Sequence, residues 1–89
     1  MIVSSDAFNT ARDDVIVVAI TSQVPASLSA DEHAVPQSEL GPCGLLKPSI
    51  VKLGKIVTLH RQLVIKRIGG LPSASLADVL ARIRQLFQA

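Results

Sequence analysis

The chain has no tryptophan, no tyrosine and only two phenylalanines, Phe8 and Phe87. Its core must therefore come from valine, isoleucine, leucine and alanine, and it lacks the aromatic platforms on which single-stranded bases ordinarily stack. A lone cysteine, Cys43, excludes an intramolecular disulfide, and two scattered histidines offer no zinc-site spacing. Cys43 lies between Pro42 and Gly44 with no basic neighbour to lower its pKa, which reads as a small turn residue rather than a nucleophile. No apolar run approaches the roughly 20 residues of a membrane span, and the start has no basic segment and apolar stretch of the signal-peptide kind. A soluble protein in a reducing, cytoplasmic setting is expected, with no membrane contact. A phosphate-cradling glycine loop, a nucleophile elbow and paired carboxylates are also missing, which removes most enzyme classes and gives no reason to expect a metal or cofactor.

What is present is an apolar, basic chain of one-domain size. Eighty-nine residues, 48% of them hydrophobic, allow a single core that buries about two thirds of the unfolded surface. A mean hydropathy of +0.43 in so short a chain points to apolar surface hidden in a partner, so an oligomer is expected. The net charge of +2 is unevenly distributed. Six acids and only Arg12 occupy residues 1–43, whereas residues 44–70 carry Lys47, Lys52, Lys55, Arg61, Lys66 and Arg67 with no acid. That segregation suits a polyanion or an acidic partner, although lysine-rich strands also serve solubility and edge protection.

The most informative stretch is residues 15–20, a β-branched run that ends on Thr21-Ser22-Gln23. It predicts a central strand covered on both faces, closing on two hydroxyls and an amide able to hydrogen-bond a phosphate. The same residues can equally do no more than end a strand. Before it, Ser5 or Asp6 is placed to cap a short helical turn through Ala7-Phe8-Asn9. Residues 23–44, rich in proline, serine and acids, read as a long loop with one short strand near residues 35–40 and a turn at Gly41-Pro42-Cys43-Gly44. Strands are predicted at 49–53 and 56–59 with a bend or bulge at Gly54, and another at 62–66 stopped by Gly69-Gly70. Leu76, Val79, Leu80, Ile83 and Phe87 recur at helical spacing, with Ser75 and Asp78 matching a capping box and the apolar stripe packing on the sheet.

RNA cleavage by a neighbouring 2′-hydroxyl needs a proton acceptor, a proton donor for the leaving oxygen and cations for the crowded phosphorane. Threonine supplies positioning only. His33 and His60 titrate in the right range, but neither has an evident partner in the sequence.

The order of these pieces is itself informative. Val3-Ser4-Ser5-Asp6-Ala7-Phe8-Asn9, then residues 15–22, Gly44-Leu45-Leu46-Lys47-Pro48-Ser49, Ile56-Val57-Thr58-Leu59, and Leu71-Pro72 before a final helix together resemble the MazF/PemK (Kid-like) toxins over nearly the whole chain. That resemblance implies a mainly β fold with a C-terminal α-helix (α+β), a small SH3-like barrel over residues 1–89. It also implies a homodimer, sequence-selective endoribonuclease activity on messenger RNA and inhibition by an antitoxin protein. Thr21 matches the family's catalytic threonine, and Ser22 and Gln23 match its substrate-contacting neighbours. Lys52 falls where a member has a functional arginine, and Ser49 and Lys55 join the expected contacts with single-stranded RNA. Gly54 stands where that member has a catalytic aspartate. The family's first strand, the loop after it and an arginine-proline pair have no counterpart, so the barrel is expected to be incomplete and cleavage is expected of a longer form. The alternative is a non-catalytic RNA-binding or antitoxin-binding module.

Overall fold

The computed structural model describes residues 1–88. In chain order it contains α1 (Asp6–Ala11), β1 (Asp14–Thr21), β2 (Glu32–Ala34), α2 (Leu40–Cys43), β3 (Ile50–His60) and α3 (Ser73–Gln85), with single 3₁₀ turns at Gln37–Glu39 and Arg61–Leu63. The Ser5 hydroxyl accepts the Phe8 N–H and so caps α1, as its position before a short helical run predicts.

The three strands form an open antiparallel sheet of order β1-β3-β2. This mainly β arrangement with a C-terminal helix is the expected fold class. The central strand is β3, however, and not β1. With eleven residues β3 is long enough to pair with all of β1 and, near its start, with the three residues of β2. Beyond β3, β1 has only the Ile2–Val17 bridge beside it among the described residues, and Ala19 and Ile20 near its end are exposed rather than covered. The bend anticipated at Gly54 is a bulge inside one continuous strand. Val18 faces Ile56 while its neighbour Ala19 faces Lys52, which leaves Leu53, Gly54 and Lys55 without partners on β1. The bulge turns Leu53 fully into the core, and its N–H bonds instead to the Asp31 carbonyl at 2.8 Å.

Two predicted strands are absent from the structure. Residues 35–40 form a turn and the start of α2, because the strand ladder is satisfied earlier: Glu32, His33 and Ala34 face Lys52, Val51 and Ile50, and the Val35 N–H makes the last rung to Ser49. Pro36 follows and has no N–H to extend the ladder. Residues 62–66 carry strand-forming side chains but leave the sheet: the Arg61 N–H closes the ladder on the Asp13 carbonyl, Arg61–Leu63 coils into a 3₁₀ turn whose Arg61 carbonyl accepts the Val64 N–H, and Leu63 and Ile65 remain exposed.

Val18, Val35, Leu40, Val51, Leu53 and Val79 form the core, with Ile56, Leu71 and Ile83 packed around it. Helix α3 thus lies on the sheet through Val79, as its stripe predicts. Phe87 does not join the stripe, since α3 ends before it and the ring is 73% exposed. The expected capping box is also absent: Pro72 occupies the cap position, and the Ser75 hydroxyl donates to Glu39 Oε2 at 2.7 Å.

Candidate nucleic-acid interface

Antiparallel pairing decides what surrounds Thr21. The last residue of β1 faces the first residue of β3, Ile50, and this brings the Thr21-Ser22 end of one strand beside the Lys47-Pro48-Ser49 approach to the other. Between them lies an open groove of about 410 Å³ lined by Thr21, Ser22, Lys47 and Ser49 together with the apolar Ile20, Leu45, Leu46 and Ile68. Thr21 Oγ1 accepts the Gln23 N–H at 3.1 Å, a local turn that bends the chain away from the strand. The hydroxyl proton has no other partner among the described residues and is available to a ligand. Ser49 is buried, and its hydroxyl donates to the Lys47 carbonyl at 2.9 Å, which holds the loop that presents Lys47 to the groove.

Glycine sets the opposite wall. Gly44 ends α2 in the left-handed conformation, with φ of 70°, and a Cβ there would overlap the Ile68 carbonyl. A Cβ on Gly69 would in turn overlap the Pro42 and Cys43 backbone. The two segments therefore cross backbone against backbone, tied by the Gly70 N–H to Pro42 O at 3.0 Å, and Ile68 is carried to the groove. In the sequence Gly69-Gly70 is no more than a stop signal; the crossing depends on contacts between residues about 25 apart.

The expected contacts divide into two groups. Thr21, Ser22 and Ser49 share the groove, whereas Gln23, Lys52 and Lys55 do not line it. Lys52 lies across the sheet from Ala19 and pairs with Glu32 Oε2 at 3.7 Å. The Glu32 carboxylate is held below the usual carboxylate range by the Ser29 N–H it accepts and by the Lys52 charge. Lys55 is exposed in the bulge. Lys47 is legible in the sequence only as part of the basic stretch, yet it is the cation that lines the groove.

Neither histidine serves Thr21. His60 faces Asp14 at the far end of the β1 ladder, seven residues away, roughly 23 Å at strand rise, and its Nδ1 accepts the Gln62 N–H at 3.2 Å. His33 faces Val51, whose other neighbour is Ile20, so it stands on the opposite side of the sheet from Thr21. It is held neutral, its pKa lowered by burial and by the nearby Arg82 charge. Cys43 is likewise a protonated thiol: burial, and then the Glu39 charge, raise its pKa, and its Sγ lies 3.7 Å from the Gly70 carbonyl. Among the described residues no three His, Cys, Asp or Glu side chains converge as metal ligands would, and no helix is long and apolar enough to cross a membrane.

A model of the PemK-like, MazF-like toxins of type II toxin-antitoxin systems matches residues 1–87, nearly the whole chain. The chain belongs to that family. Its fold is similar to that of the Mycobacterium tuberculosis toxin MazF-mt6, with 26% identity and a TM-score of 0.79 over 98% of this chain and 82% of that one. A second solved Mtb toxin is 28% identical, with a TM-score of 0.77 over 98% of this chain and 89% of the other. No curated protein matches the chain in sequence.

Proposed function

We propose that this PemK/MazF-family toxin is a sequence-selective endoribonuclease of messenger RNA, with Thr21 at the reacting phosphate. The observation that supports the reading is the groove in which Thr21, Ser22, Ser49 and Lys47 meet. In this reading the Thr21 hydroxyl donates to a non-bridging phosphate oxygen while Lys47 offsets its charge. The 2′-hydroxyl of the preceding nucleotide gives its proton to water as its oxygen bonds to phosphorus. The bond to the 5′-oxygen breaks, that oxygen takes a proton from water and leaves as a 5′-hydroxyl, and a 2′,3′-cyclic phosphate remains on the upstream fragment. Ser22 and Gln23 contact the adjoining nucleotides, and Lys55 extends the cationic surface along the sheet, while Lys52 joins it only when its pairing with Glu32 is broken. The partners are single-stranded RNA in the cytoplasm, an antitoxin protein and a second copy of the chain. Exposed apolar side chains such as Leu46 and Ile65 supply surface for the protein partners.

A specific observation favours a second reading, a non-catalytic RNA-binding or antitoxin-binding module. Among the described residues the groove is lined by hydroxyls and an ammonium but by no side chain able to accept the 2′-hydroxyl proton near neutral pH. One experiment separates the two. The purified chain and its Thr21→Ala variant are incubated with single-stranded RNA, and the fragments are examined for cyclic-phosphate ends. Cleavage lost in the variant supports the nuclease. Binding without cleavage in both supports the module, and cleavage unaffected by the substitution removes Thr21 from the mechanism.

A further inference from the structure

On the sheet face opposite Thr21, Arg82 of α3 grips the segment leading through β2. Its NH2 donates to the Ala30 carbonyl at 3.0 Å and the Glu32 carbonyl at 2.7 Å, and its NH1 lies 3.1 Å from His33 Nδ1. A guanidinium has no acceptor to offer and keeps its proton at any physiological pH. His33 Nδ1 must therefore accept, and the proton of the neutral ring belongs on Nε2. Two buried atoms near this contact have no partner. They are His33 Nε2, which in this tautomer carries the proton, and Glu39 Oε1. The other Glu39 oxygen is taken by the Ser75 hydroxyl, so the carboxylate is anchored on α3.

We propose that His33 and Arg82 form an acid-sensitive latch that holds the strap of residues 30–34 against α3 and releases it when Nδ1 takes up a proton. Protonation turns the acceptor into a donor and places a second cation about 3 Å from the guanidinium. The groups facing the ring are Arg82 and Asp78 from α3 and Glu39 from the turn after β2. Asp78 Oδ2, 3.9 Å from Nδ1 and 3.7 Å from Arg82 NH1, attracts both cations, but it is 59% exposed and screened by water. Burial and the Arg82 charge outweigh the two carboxylates, so the neutral ring is the form the closed strap prefers. The strap also carries Glu32, the partner of Lys52, and its opening uncovers that cation.

Backbone amide exchange tests the latch. The Val35 N–H bonds Ser49 O and the Leu53 N–H bonds Asp31 O, so both report on the strap, while amides around Val79 in α3 report on the global fold. Between pH 7.5 and 5.5, protection at Val35 and Leu53, corrected for intrinsic exchange, is expected to fall severalfold while staying well below that of the α3 amides, so that the strap opens without the global fold. The ceiling is about tenfold, because a released imidazole of ordinary pKa is about nine-tenths protonated at the lower pH. In His33→Gln, whose amide oxygen still accepts from Arg82 but does not titrate, the fall should vanish. Unchanged protection in the native chain, or an equal fall in the variant, overturns the proposal. Should the variant not fold, long-range ¹H–¹⁵N spectra of the native imidazole decide: a proton on Nδ1 at pH 7.5 refutes the latch.

Discussion

Lys52 Nζ lies 3.7 Å from Glu32 Oε2, so one of the cations expected to meet RNA is engaged by a carboxylate from the neighbouring strand. Lys47, exposed and on the groove, has no such partner among the described residues. The two lysines look alike in the sequence, and strand pairing makes them different.

RNA binding should follow that difference. Lys47→Gln is expected to weaken affinity for single-stranded RNA and to reduce the slope of log K against log salt by about 0.7, the value for one phosphate contact. Lys52→Gln should change little, and Glu32→Gln should strengthen binding by freeing Lys52. Fluorescence anisotropy across a salt series checks all three; an effect of Lys52→Gln equal to that of Lys47→Gln contradicts the assignment.

Gly44→Ala should be costly although it adds one methyl at a half-buried surface position. A left-handed φ of 70° and an overlap with the Ile68 carbonyl combine there, and destabilisation of about 1–3 kcal/mol is expected. Gly41, where an added Cβ meets nothing within 4 Å, provides the control. Urea midpoints of Gly44→Ala and Gly41→Ala should separate clearly.

Acid should destabilise the fold in two windows. His33 is lowered from its ordinary value near 6.5, so the unfolded chain takes up that proton first, and stability falls as pH drops below 6.5. Glu32 is lowered from a value near 4.5, and its contribution, present above that pH, is lost as pH falls through its folded value. Urea unfolding from pH 7.5 to 3.5 should show both windows. His33→Gln should flatten the upper window and Glu32→Gln the lower.

Cys43 should react slowly. Burial beside Gly70 and the Glu39 charge keep the thiol protonated, so its alkylation by iodoacetamide at pH 8 should lag behind that of an unhindered peptide cysteine. A rate at or above the peptide's would show that the α2 turn opens readily.

Leu53→Ala tests the bulge. Leu53 is fully buried among the three unpaired residues of β3, so truncation should cost about 2–5 kcal/mol. In a domain of this size that is much of the total stability. Thermal unfolding with a retained helical signal would locate the loss in packing rather than in α3.

Residues whose pattern is local are legible in the sequence. The β-branched run of β1, the Ser5 cap, the break at Gly54 and the 3.6-residue stripe of α3 each depend on neighbours within a few positions, and the fold has each of these elements where the local pattern puts it. The ordered segments around Thr21 likewise carry the family. The failures share one cause. Residues 62–66 have the side chains of a strand but are turned off the sheet where Arg61 closes the ladder on Asp13, Ser75 has the spacing of a capping box but a better acceptor in Glu39, and β1 has the composition of a central strand but one full neighbour.

By itself, then, the sequence determined β1, the Ser5 cap, the break at Gly54 and the helical stripe of α3, together with the charge segregation, the absence of an aromatic stacking surface and the Thr21-Ser22 strand end. Those follow from side-chain period, propensity and composition, which act over one or two turns of chain. Tertiary structure decided which chemistry those elements can share. Antiparallel register set Thr21 against Ser49 and Lys47, turned His33 to the other face and gave Lys52 to Glu32, while a glycine crossing carried Ile68 to the groove. Such pairings are fixed by hydrogen bonds and close contacts between residues tens of positions apart, and no local pattern in the chain encodes them.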